Sequence, residues 1–93
     1  VHPLAEHLAP RLREVLPGTT VAVHQPWRDV FLPLMVGATT VLLPDGRLPG
    51  GSPDHPKMLE KAGFKVVAID SEELWMDPAA EVNRLVGAAA GAG

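Results

Sequence analysis

Cysteine is absent from the 93 residues. That excludes disulfides, thiolate metal sites and a cysteine nucleophile within the chain. Tyrosine is absent too, which leaves Trp27 and Trp75 as the large amphipathic aromatics. Serine occurs only at Ser52 and Ser71. Neither stands in Gly-x-Ser-x-Gly, which argues against a serine hydrolase. No run of basic residues exists: Lys and Arg total 8 against 11 Asp and Glu, for a net charge of −3. Arg11 and Arg13 come nearest to a basic cluster. An acidic chain lacks the electrostatic footprint of a nucleic-acid binder, so nucleic acid is not an expected partner. The longest apolar stretch, 30–38, is interrupted by Pro33 and is too short to span a membrane. No basic-then-apolar signal segment opens the chain. The expectation is a soluble, cytoplasmic protein with no membrane partner.

Hydrophobic residues make up 46% of the chain and charged residues 20%, which is a globular balance. The length suits one domain, residues 1–93. A chain of this size buries roughly 60–65% of its unfolded surface. Leu4, Leu8, Leu12, Val15 and Leu16 recur at helical spacing and predict a helix over 3–16. Pro3 suits its first turn. Pro10 should kink or split it, and Pro17-Gly18 should end it. Thr19–His24 reads as a strand. Val30–Val36 reads as a strand or a short helix, with Pro33 arguing for an edge or a bulge. Thr39–Leu43 reads as a strand, and 44–53, rich in Pro and Gly, as a loop.

The most informative segment is 54–70. Asp54 caps a short helix with Pro56 in its first turn, Gly63 stops it, and Phe64–Ile69 follows as a buried strand. Ser71 or Asp77 caps a last helix over about 78–89, and the Gly/Ala tail frays from about Gly87. The fold class is therefore α/β: a small sandwich with a three- or four-stranded mixed sheet and helices packed on it. The expected core is Leu8, Leu12, Val21, Val23, Phe31, Val41, Leu43, Leu59, Val66, Ala68, Ile69, Leu85 and Val86.

No complete catalytic set stands out. His2 and His7 are five apart, which is poor for one helical face, so no metal site is expected. His24 with Asp29, or His55 beside Asp54, has the chemistry of an acid/base pair, although Asp54-His55 reads more simply as a cap. Gly50-Gly51-Ser52 precedes a helix start, where an anion can sit, with His55 and Lys57 close by. Neither Gly-x-x-x-x-Gly-Lys-Ser/Thr nor Gly-x-Gly-x-x-Gly is present, and no cofactor is expected. Asp70-Ser71-Glu72-Glu73 follows a strand; a helix's first turn accounts for these acids. Trp27, read as a loop residue, opens a dense apolar run with Phe31, Leu34 and Met35. Exposure of that run would mark a self-association or partner surface.

The segments 27–44 and 58–73, with the Arg28-Asp29-Val30-Phe31 stretch, resemble one repeat of the guanidino-group-modifying enzymes. These are the arginine deiminases, dimethylarginine hydrolases and amidinotransferases. The resemblance implies a β-hairpin, a helix and a further strand, recurring around a channel. The family's His-x-Asp would fall on Trp27-Arg28-Asp29, where only Asp29 agrees, and its cysteine has no counterpart here. The resemblance thus implies a degenerate or accessory repeat or, alternatively, a subunit or fragment of a guanidino-modifying hydrolase or amidinotransferase that needs a partner chain. Val21-Ala22-Val23, Lys57–Val67 and Glu73-Leu74-Trp75 resemble the RAP domain, an endonuclease-like module of RNA proteins. Pro44-Asp45 matches the start of the nuclease pattern, but no Asp/Glu-x-Lys follows. The residues themselves favour a non-catalytic interaction or assembly module.

Overall fold

The computed structural model describes residues 2–90. The elements run α1 (Pro3–Val15), β1 (Val21–Trp27), β2 (Val30–Val36), β3 (Thr40–Pro44), α2 (His55–Lys61), β4 (Lys65–Ile69), α3 (Ser71–Met76) and α4 (Pro78–Ala90). The four strands form one sheet in the order β1-β2-β3-β4. β1, β2 and β3 are an antiparallel meander, and β4 returns parallel to β3 through α2. A parallel return needs a crossover, which is why the only helix between strands lies there.

The sheet has an apolar layer on each side. On one, Leu4, Leu8 and Leu12 of α1 meet Leu34, Leu42, Val67 and Ile69 of the sheet, Leu74 of α3, and Val82 and Leu85 of α4. On the other, Leu59 of α2 packs with Val41, Leu43, Leu32 and the loop residue Leu48. Val41 pairs with Val66 and Leu42 with Val67, so each cross-strand pair shares a face.

Pro10 does not split α1. Glu6 and Pro10 are both exposed, so the carbonyl that Pro10 leaves without a helical donor sits on the solvent side. His2 caps the helix, its Nδ1 accepting the Leu4 N–H at 3.1 Å. Gly63 takes φ +100°, and the Phe64 N–H returns to the Leu59 carbonyl at 3.0 Å, as a glycine helix stop requires. The expected cap of α2 is different: the Asp54 side chain makes no capping bond. Two helices follow β4, not one. Asp70 caps α3 by accepting the Glu73 N–H at 3.0 Å, and Asp77 caps α4 by accepting the Ala80 N–H at 3.2 Å. Of the tail expected to fray from Gly87, α4 takes in residues up to Ala90, and residues 91–93 lie outside the described ones.

Pro33 decides the shape of β2. β2 is an inner strand, but it pairs with β3 only from Leu34 onward. Opposite Pro33, His24 has φ +50°, and the ladder with β1 runs from Val23–Leu34 to Gln25–Leu32 without it. The inward-facing parity changes there: Leu34 joins the α1 side, whereas Leu32 joins the α2 side. Beyond Pro33, β1 and β2 continue as a two-stranded arm to the Arg28-Asp29 turn, with Arg28 at φ +54°. Trp27 is therefore the last residue of β1, not a loop residue.

The same switch corrects the expected core. Phe31 falls on the outer side of the arm and is 50% exposed. Ala68 lies on the face of β4 opposite Val67 and Ile69, beside Gly46, and is exposed. The other expected core residues are buried or half-buried. Among the described residues no helix is long and apolar enough to cross a membrane.

Candidate functional site

The β3–α2 loop was the first candidate for an anion. Several of its backbone donors are already engaged. The Ser52 N–H donates to His55 Nδ1 at 2.7 Å, and the Asp54 N–H donates to Ser52 Oγ at 3.3 Å. Gly51 is required for this closure: a Cβ there would lie 2.8 Å from His55 Nδ1 and from a Leu48 methyl. Gly51 and Ser52 line one groove with Arg47 and Leu48, whereas Gly50 lines a separate cleft with Asp29. Lys57 is exposed and lines neither. The loop candidates thus divide between two places.

A second cluster forms beyond the carboxyl ends of β3 and β4, the edge where open α/β sheets bind ligands. Asp45, Asp70 and Arg84 line a shallow depression there. Each group has a structural partner. Asp45 accepts the Ser71 N–H at 3.1 Å and the Ser71 hydroxyl at 2.8 and 3.0 Å. Glu81, fully buried, accepts the Asp70 N–H at 2.6 Å and Arg84 Nε at 2.7 Å. Arg84 also donates to the Ala68 carbonyl at 2.8 Å, closing that end of the β4 edge. Hydrogen bonding to Glu81 raises the Arg84 pKa above its already high value. Ser71, read as a possible cap, is instead the clamp on Asp45.

The Ser71 backbone and hydroxyl donors hold the Asp45 carboxyl below its ordinary value of 3.8. A depressed carboxylate stabilises the fold above its unfolded pKa, and that contribution is lost as pH falls through the folded one. Asp45→Asn should therefore cost stability at pH 5 and above, by under about 1 kcal/mol at this exposed position. The gap to wild type should narrow in thermal melts as the pH falls below 3.8 and through the lowered folded pKa. Asn tolerates the left-handed backbone of Asp45, φ +53°, so the comparison isolates the charge. A gap that widens toward low pH would refute this sign.

The arm holds the third candidate. Of the apolar run, Trp27 and Met35 are half-buried against the α2-side core, and Trp27 stands edge-on to Phe64 at 6.0 Å. Leu34 is fully buried and is removed from any surface, because the parity change at Pro33 turns it into the α1 side. Phe31 remains exposed, its ring flat on His24 at 4.0 Å and 4°. His24, Asp29, Gly50 and His2 come together in one cleft from three separate parts of the chain. His24 and Asp29 are an expected pair; His2 joins them only in the fold, since distance along the sequence carries no sign of it.

A fourth feature lies on α3. Trp75 is 65% and Met76 76% exposed at the end of α3. Trp75 stacks on His7 at 5.4 Å, and His7 Nε2 is buried there without a hydrogen-bond partner. The signal available in the sequence was the helix itself: six residues whose single buried member is Leu74. Among the described residues no group of three His, Asp or Glu side chains is placed to hold a metal ion. Compared with protein-family models, with curated proteins and with solved structures, the chain gives no match.

Proposed function

We propose that this chain is a non-catalytic interaction module that assembles through the Trp75–Met76 surface of α3. The observation that carries the reading is the exposure of these two consecutive side chains, 65% and 76%, on the short helix α3. Large apolar groups left in water side by side mark a contact surface. A second copy is the partner that fits. Across a two-fold axis the Met76 thioether of one copy meets the Trp75 ring of the other, a favourable sulfur–aromatic pairing. Strand addition is a poorer route. At the β1 edge Arg13 occupies the Val21 carbonyl at 3.0 Å and Pro26 has no N–H. The strand-end acids support the non-catalytic part, since structural donors already engage Asp45, Asp70 and Glu81.

The test is native mass by sedimentation, on purified chain and on untagged protein from its own host. A particle of twice the 9.9 kDa chain is expected, falling to a folded monomer in Trp75→Glu, with the far-UV circular dichroism of wild type. A strictly monomeric particle in both preparations refutes the reading. A larger assembly holding a second polypeptide would instead favour an accessory repeat of a guanidino-modifying enzyme. The order β2–β3 hairpin, α2, β4 supports that alternative, although element order alone does not carry function.

A RAP-like role rests on the exposed Trp75, a stacking surface for an unpaired base. Its test is a labelled-RNA titration. The acidic chain leads to no binding at physiological salt, and salt-dependent saturation would reverse that expectation.

A further inference from the structure

A cleft of about 320 Å³ opens between the β1–β2 arm, the His2 cap of α1 and the Pro49–Gly50 corner. Its walls are apolar at Val30, Phe31 and Pro33, and three polar side chains join them: His2, His24 and Asp29.

His24 holds a left-handed backbone, φ +50°, that a residue with a Cβ rarely adopts. Such conformations concentrate at binding sites. Here the conformation accompanies an imidazole laid parallel on Phe31, 4.0 Å away and within 4°. Two rings already ordered in parallel form a flat platform. A third flat ring extends it with little further ordering cost.

The polar groups give that ring its edge. His2 Nδ1 accepts the Leu4 N–H, so the neutral imidazole carries its proton on Nε2 and presents a donor. Asp29 presents carboxylate acceptors. Among the described residues no three such groups are placed to hold a metal ion.

We infer that the cleft binds a planar amino-lactam heterocycle, the chemistry of a guanine ring. The ring stacks on the Phe31–His24 pair. Its two adjacent N–H groups donate to Asp29, a paired charge-assisted contact. Its carbonyl accepts from His2 Nε2–H. The chain's net charge of −3 and the Asp29 carboxylate disfavour phosphate, so a free nucleoside is the better source of the ring than a nucleotide or a strand.

The experiment is an amide chemical-shift titration of the full chain with guanosine, adenosine, GMP and a short G-containing RNA. Saturable shifts at Asp29, Phe31 and Gly50 are expected with guanosine, at least tenfold tighter than with adenosine. Asp29→Asn and Phe31→Ala should each weaken guanosine at least tenfold while melting like wild type. Trp75→Ala should bind as wild type, which separates this site from the assembly surface. Guanosine binding above GMP and RNA supports the free nucleoside. RNA binding tighter at the same amides, with a steep salt dependence, keeps the ring chemistry and overturns the nucleoside as its source. No saturable shift with any guanine-bearing probe, or equal affinity for adenosine, overturns the inference.

Discussion

Ile69→Asp should abolish the cooperative thermal melt. Ile69 is 1% exposed in the layer shared by α1, α3 and α4. It pairs with Pro44 across the parallel ladder, and its carbonyl receives the Asp45 N–H at 2.7 Å. The backbone is thus held in place and has no route to carry the new carboxylate to water. Losing the isoleucine side chain alone costs about 2–5 kcal/mol. Burying an unpaired carboxylate adds several more, or forces its protonation. The sum exceeds about 5 kcal/mol, against a total of about 5–15 for an ordinary domain. Val67→Asp, at a site 7% exposed on the same face, should behave alike. The control lies between them: Ala68 is exposed, and Ala68→Ser should stay within about 0.5 kcal/mol of wild type. Circular-dichroism melts decide this. A cooperative transition unchanged in Ile69→Asp would sink the placement of β4.

The second large effect belongs to Glu81, which sits with no exposed surface in the first turn of α4. It is an acceptor hub. One oxygen takes the Asp70 N–H at 2.6 Å and Arg84 Nη2 at 2.5 Å, and the other takes Arg84 Nε at 2.7 Å. These bonds tie the end of β4 and the start of α3 to α4. Glu81→Ala leaves the Asp70 N–H without its acceptor and opens a cavity beneath Arg84. The expected loss is about 2–4 kcal/mol, from the charge-assisted hydrogen bonds to a fully buried acceptor and from the lost packing. For a domain of this size that lowers Tm by about 10–25 °C. Glu81→Gln keeps the volume and an amide oxygen for the Asp70 N–H, so it should lose only about 1 kcal/mol. The Arg84 side chain is 49% exposed and water can serve much of its guanidinium, which keeps the ion-pair contribution itself small. Equal losses in both variants would mean that the charge, and not the hydrogen-bonded geometry, holds the joint. A wild-type melt in Glu81→Ala would refute the hub outright.

Glu81 also shows where reading the chain stops. The apolar residues Val82, Leu85 and Val86 announce α4 and its inward side. A glutamate one position before them, in a first turn, is what a solvated helix start carries. Only the packing of α4 against the end of β4 encloses it. Leu48 is the converse case. It lies in a loop of prolines and glycines, yet is 4% exposed, because the loop folds back onto α2 and Gly51 leaves room for it. Phe31 and Leu34 exchange their expected places for one reason, the interrupted pair at His24 and Pro33. Pro33 was read correctly as unfit for an uninterrupted inner strand. Which neighbours then turn outward depends on the hand of the local backbone, and no spacing encodes that.

The sequence by itself determined what local forces settle. Alternation and helical spacing placed most of the elements, leaving 30–36 open between strand and helix and α3 unmarked. Pro17-Gly18 and Gly63 ended helices, and the lack of cysteine and of basic runs removed whole classes of chemistry. Those signals act over a few residues and need no partner. The tertiary structure decided the rest: the parallel return of β4, the face switch in β2, the burial of Glu81 and the exposure of Trp75. It also brought His2, His24, Asp29 and Gly50 to one cleft from positions up to 48 residues apart. Burial and proximity belong to surfaces that meet, and those surfaces exist only once the sheet has chosen what covers each of its faces.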